Sequence, residues 1–283
     1  MSTKTRYVGL ELGSGRRTAV VALDYFPEQK KVFLAELRTN FQSTEEQSSD
    51  DQLIAYLNEL EPEIIGIDAP LSLPPCVACT LDICPTFSRC EVGAVRWMRE
   101  EGKRWGKVRF PSPYTQRPVD YLMRGKWQDD AIVPFPVDES FGSSRAPLAV
   151  RMQYLRRHLE AETLLEVNPR LALSGIAEQY DFNSRELRRA RDVEDGLENR
   201  FTLLDKLSSP PRHPEIPHLF LYNSEISQLS QELTAFDALL CAWMAAYEGL
   251  GLLEEPEFDP RWGNIAKPRK LLGGPRKLQW QEP

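Results

Sequence analysis

Three acidic residues of the 283-residue chain stand where an ionised carboxylate is costly. Glu11 interrupts the apolar alternation of Val8, Leu10 and Leu12, Asp68 ends the run Ile64-Ile65-Gly66-Ile67, and Asp237 precedes the unbroken apolar stretch 238–247. A buried charge is unfavourable unless a cation or several hydrogen-bond donors compensate it, so each of these residues asks for a partner. Glu166, after Thr163-Leu164-Leu165, is a fourth. Clustered carboxylates are hard oxygen ligands that suit Mg²⁺ or Mn²⁺, and two such ions about 4 Å apart activate water and stabilise the leaving oxygen in phosphodiester cleavage. The expected chemistry is therefore metal-dependent phosphodiester hydrolysis. Asp68 and Asp237 would bind metal directly, Glu11 would bridge or support it, and Glu166 would complete the shell. Each residue also has a purely structural explanation. Asp68 before Ala69-Pro70 can satisfy loop amides, Glu166 can be a strand-end charge, and Glu11 can be an exposed strand residue. Thr234-x-x-Asp237 has the form of a capping box at a helix start.

The cysteines are the second chemical feature. Cys76, Cys79, Cys84 and Cys90 make C-x2-C-x4-C-x5-C within fifteen residues, while Cys241 stands alone in an apolar helical segment. Four thiolates converging in one loop suit tetrahedral zinc, and soft-ligand preferences also allow an iron-sulfur cluster. The spacing matches no standard finger and does not choose between the two metals, and uncoordinated thiols in a proline-broken loop are the alternative.

These residues need elements to position them. The stretch 6–38 reads as three consecutive strands in an antiparallel meander, followed by an amphipathic helix through Leu53, Leu57 and Leu60. The run 63–67 reads as a buried parallel strand and 163–167 as another, while 226–250 carries the strongest helical pattern in the chain. In a sheet of order 3-2-1-4-5 the strands bearing Glu11, Asp68 and Glu166 are neighbours, and the last helix can lay Asp237 against the same end. The fold class is α/β: a five-stranded mixed sheet flanked by helices, in a domain spanning 1–252. The proline-rich stretch 71–146, with the cysteines, reads as an insertion after strand 4, and 253–283 as an irregular basic extension.

Composition narrows the partners. A net charge of -7 argues against global, non-specific coating of nucleic acid. Local basic surfaces remain, with seven Lys/Arg against two Glu in 96–117 and six against Glu282 alone from 261 onward. The longest apolar run, 238–247, is half of the ~20 residues that span a bilayer, and the start has no continuous apolar segment of the secretory kind. A cytoplasmic location without membrane contact follows as the expectation. His158, His213 and His218 fall in no His-Glu-x-x-His arrangement, and no Walker loop, dinucleotide fingerprint or EF-hand is present.

Gly66-Ile-Asp-Ala-Pro-Leu-Ser-Leu-Pro74, Glu166-Val-Asn-Pro169, Tyr114-Thr-Gln-Arg117 and the helix Phe236-Asp-Ala-Leu-Leu-Cys-Ala-Trp-Met-Ala-Ala246 together resemble domain-of-unknown-function family 429, predicted nucleases of the RNase H fold. The resemblance covers roughly residues 6–250. It implies an RNase H-like, RuvC-like sheet with an acidic metal site, and nucleic acid, DNA or RNA, as the partner. One departure is that Glu11 occupies the position where this superfamily usually offers Asp, so the ligand is one methylene longer. Gln116 and Arg117 would contact a phosphate or stabilise their loop, and the basic patch 96–109 would track the backbone. Two other classes compete. Gly9-Leu-Glu-Leu-Gly-Ser-Gly15 with Thr18 resembles the first phosphate loop of actin-like ATPases, although a second copy of the fold and a second glycine-rich loop are missing from the sequence. A catalytically silent module would instead bind nucleic acid or protein through the cysteine cluster and the basic stretches.

Overall fold

The computed structural model describes residues 4–13, 17–104, 111–133 and 139–271. Lys107 and Arg109 of the basic patch, Ser14 and Gly15 of the glycine-rich loop, and residues 272–283 of the basic extension lie outside the described residues.

The alternating residues of the N-terminal segment form three strands, β1 (Thr5–Glu11), β2 (Ala19–Phe26) and β3 (Lys31–Thr39), paired antiparallel. After helix α1 (Ser49–Glu59), whose first turn is capped by the Ser48 side chain on the Asp51 amide, comes β4 (Ile64–Ile67). β4 pairs parallel to β1, and β5 (Thr163–Glu166) pairs parallel to β4. A sixth strand, β6 (His218–Phe220), adds parallel to β3, so the sheet order is β5-β4-β1-β2-β3-β6. That strand corrects the five-strand expectation. It has three residues directly after a proline-rich connector, too few to show a period of two.

Between β4 and β5 lie α2 (Gly93–Arg104), α3 (Pro118–Leu122), a π turn (Met123–Trp127) leading into the single turn α4 (Gln128–Asp130), and α5 (Ala146–Leu155). After β5 follow α6 (Pro169–Ile176), α7 (Ser184–Arg189) and α8 (Gly196–Leu207). The long helical pattern near the C-terminus divides into α9 (Asn223–Gln231) and α10 (Leu233–Gly249), because Glu232 is extended at φ -114° and ψ 124°.

The sheet separates two apolar layers. One face packs on α1 and α5 through Leu10, Val20, Leu53, Leu57, Ile67, Met152 and Leu155. The other packs on α10, buried continuously from Ala235 to Tyr247, with α6, α8 and α9 around it. A helix that is apolar on every side is buried on every side. Its approach to the sheet depends on glycine: a Cβ on Gly9 would lie 2.0 Å from the Ala238 carbonyl oxygen, and one on Gly66 would lie 2.1 Å from that of Cys241. The backbone of α10 thus rests directly on β1 and β4. Residues 253–271 do not trail away. Leu253 bridges to Pro268, and the Ala266 amide donates to the Glu166 carbonyl at 2.8 Å.

Candidate functional site

The carboxylates gather at the carboxyl ends of the parallel strands, the place where open α/β sheets bind ligands. Strand register decides which of them meet. Leu10 pairs with Ile67, and Ile67 with Glu166, so these three share one row of the sheet. The next row continues with Glu11 and Asp68, whose amide donates to the Leu10 carbonyl at 3.0 Å, and with Val167, whose amide donates to the Ile67 carbonyl at 2.8 Å. Successive rows face opposite sides of a sheet. Leu10 and Ile67 belong to the α1/α5 layer and Val167 to the α10 layer. Glu11 and Asp68 therefore join Asp237, which descends from the second turn of α10.

These three carboxyls act on one another strongly. Burial, then the Asp68 and Asp237 charges, push the Glu11 carboxyl well above its ordinary value, and Asp68 is close enough to share a hydrogen bond with it. Glu11 Oε2 is buried with no donor. Burial and Asp68 raise Asp237 to about 6, although Arg191 donates to its Oδ1 at 2.5 Å and pulls the other way. The rise prevails because the Arg191 guanidinium is shared by a crowded acidic group and also feels Asp68 and Glu11. Arg145 donates to Asp68 Oδ1 at 2.8 Å. Below the cluster, Cys241 is buried in α10 one turn after Asp237, and its thiol is held well above its ordinary value by burial and then by the three carboxyls.

Glu166 is placed differently. Arg117 grips both of its oxygens at 2.6 Å, and the Leu71 amide donates to Oε2 at 2.9 Å. The Arg117 guanidinium is fully buried, and it also donates to Asp120 Oδ1 at 2.8 Å and to Ser72 Oγ at 3.1 Å. Burial opposes its charge, yet Asp120 and Glu166 outweigh that and raise its pKa, while Arg117 holds Asp120 low against burial. The structure thus brings together Glu11, Asp68 and Asp237 but engages Glu166 and Arg117 with each other. Gln116 is likewise turned inward, accepting from the Ser112 amide at 2.8 Å and donating to Glu139 at 3.0 Å. The capping role does not occur at Asp237: the N-cap of α10 is Glu232, with no side-chain cap bond.

Sequence reasoning missed Arg145 and Arg191. Neither belongs to a motif, and only a folded insertion and the turn after α7 deliver them to the carboxyls. The described part of the patch 96–109 is largely paired, Arg99 and Arg96 with Glu91 and Arg104 with Glu101. Cys76, Cys79 and Cys84 are exposed free thiols and Cys90 is a buried one. Among the described residues, no three His, Cys, Asp or Glu side chains are drawn close enough to hold a metal ion as they stand. No described helix is long and apolar enough to cross a membrane.

The comparisons with known proteins are sparse. A family model, Protein of unknown function (DUF429), matches residues 13–257. No curated protein and no solved structure matches the chain.

Proposed function

The chain belongs to the DUF429 family, and from that premise we propose that it is a divalent-cation-dependent nuclease with an RNase H-like core, acting on nucleic acid in the cytoplasm. The observation that carries this is the meeting of Glu11, Asp68 and Asp237 from three separate elements, with Glu11 Oε2 buried and lacking a donor. An ionised buried carboxyl oxygen beside two other acids is costly, and a cation would relieve that cost. The run of antiparallel β1 to β3 followed by parallel β4 and β5 supports the RNase H-like assignment, with β6 as an edge addition.

The donor set fits a hard divalent ion, Mg²⁺ or Mn²⁺, held by Glu11, Asp68 and Asp237. Such an ion would supply an acidified water and stabilise charge on the leaving oxygen. A cation there would offset both the burial and the acidic neighbours that raise the Glu11 carboxyl, and so would favour its ionised form. Arg145 and Arg191 hold Asp68 and Asp237 in place and present guanidinium charge to an approaching phosphodiester. They must loosen from the aspartates for the three acids to close on an ion. Glu166, Arg117 and Asp120 buttress the loop after β4 instead of completing the shell.

The test is cleavage of labelled single-stranded, duplex and branched DNA and RNA in Mg²⁺ or Mn²⁺. Metal-dependent cleavage should fall by more than about 100-fold in Asp68→Asn and Asp237→Asn, beyond what loss of an outer-shell partner produces, while circular dichroism stays native. No cleavage by the wild type, or equal cleavage by the variants, would leave the silent binding module in its place.

A further inference from the structure

One edge of the sheet is open. β5 is the outermost strand and pairs only with β4. The backbone groups of a strand point alternately to its two sides, and two bonds fix the alternation here. The Val167 amide donates inward to the Ile67 carbonyl at 2.8 Å, while the Glu166 carbonyl accepts from the Ala266 amide on the outer side at 2.8 Å. Leu165 therefore turns its backbone to β4, and Leu164 shares the outward direction of Glu166. Among the described residues, no backbone group outside the sheet meets the Leu164 amide, the Leu164 carbonyl or the Glu166 amide. Such an edge is a template for another strand, and β5 carries none of the prolines, lysines or bulges that ordinarily guard one.

The open edge lies in a cleft of about 730 Å³. Leu71 with Gln153 and Arg156 of α5 lines one wall, and Glu248 at the end of α10 with Pro260 and Asn264 lines the other. These walls belong to the two layers that flank the sheet, so the edge is recessed between them. The recess selects the occupant. A second copy would have to bring its own β5 against this one, and two recessed edges do not meet. Nucleic acid has no amide ladder to offer, and Glu162 and Glu248 in the cleft repel phosphate. A single extended peptide has the matching donors and acceptors, and its side chains alternate toward the two walls. One wall presents the Arg156 guanidinium, anchored on the Leu71 carbonyl at 2.7 Å, and the other presents Glu248.

We propose that the outer edge of β5 is a docking site for an extended segment of a partner protein, which adds as a further strand beside Leu164 with acidic side chains toward Arg156 and basic ones toward Glu248. Docking there uses none of Glu11, Asp68 and Asp237 and is independent of nuclease activity.

The probe is a displayed library of random octapeptides selected on the immobilised full-length chain. Selected peptides should alternate acidic and basic positions. Methylating their backbone amides one at a time should weaken binding about tenfold at every second position, where the amide faces β5, and little in between. That readout leaves the protein untouched. Leu164→Pro removes the outward amide and no bond to β4, at a place where an edge strand tolerates proline. It should weaken the same peptides about tenfold with circular dichroism unchanged, and Arg156→Glu should weaken the acidic ones. No enrichment over bare support, binding indifferent to Leu164→Pro and to amide methylation, displacement of the peptides by a single-stranded oligonucleotide, or a concentration-dependent dimer that Leu164→Pro dissolves would each overturn the assignment.

Discussion

Two groups of acids at the same end of the sheet, one fully buried and one partly open, live under opposite rules. Glu166 and Asp120 share one fully buried arginine that bonds to both, and Asp120 is held low. Glu11, Asp68 and Asp237 share two arginines that each take one aspartate oxygen, and Glu11 and Asp237 are driven up. The first group is closed by hydrogen bonds, with Arg117 on both acids, the Leu71 amide on Glu166 and the Ser140 hydroxyl on Asp120. The second leaves Glu11 Oε2 buried without a donor, with burial and its acidic neighbours raising the Glu11 carboxyl. Burial alone therefore does not mark an acid for chemistry; what decides is whether the protein has already supplied its hydrogen-bond partners.

Breaking the complete group should have the largest effect. Arg117→Met leaves Glu166 and Asp120 buried without a cation, and urea unfolding should show a loss of about 3–5 kcal/mol. A loss under about 1 kcal/mol would mean that the pairing is not what holds this region. Gly66→Ala comes next, since its Cβ would meet the Cys241 carbonyl at 2.1 Å. Pushing α10 off β4 should cost about 1–3 kcal/mol and reduce cleavage as well, because Asp237 rides on that helix. Unchanged stability would show that helix and strand can separate freely.

The second group should respond to pH. Both raised acids bind protons more tightly folded than unfolded, so their contribution is full below about pH 4. It is lost as pH rises, through about 6 for Asp237 and through the raised range of the Glu11 carboxyl. Thermal unfolding between pH 4 and 8 should show wild-type stability declining and Glu11→Gln declining less, because glutamine mimics the protonated acid. Mn²⁺ should stabilise the wild type more at higher pH, since binding releases the proton. A metal shift independent of pH would contradict the raised Glu11 carboxyl. The smallest effect belongs to an exposed pair, Lys126 with Glu257 at 3.2 Å. Lys126→Ala should change stability by less than about 0.5 kcal/mol.

Much of the site was legible because each residue broke a local pattern. Glu11 and Asp68 interrupt apolar strands and Asp237 opens an apolar helix, all visible without coordinates. Glu166 breaks its strand in the same manner, yet it pairs with Arg117, 49 positions earlier. Nothing local separates the two cases, because a strand shows alternation but not which neighbour sets its register. β6 and the break at Glu232 were missed for a related reason. Three residues carry no period, and the helical spacing of the apolar residues in 226–250 passes through a non-helical residue undisturbed.

The sequence by itself determined the apolar runs, the acids that end them and the four-cysteine loop, since these follow from residue type and short spacing. Tertiary structure alone decided the pairing of acids and arginines. Register set Glu11 and Asp68 in one row and Glu166 in another. The folded insertion then sent Arg117 to one group and Arg145 to the other, while the turn after α7 brought Arg191. Charge pairing acts over a few ångströms of space regardless of separation along the chain, so it becomes defined only once the sheet is built.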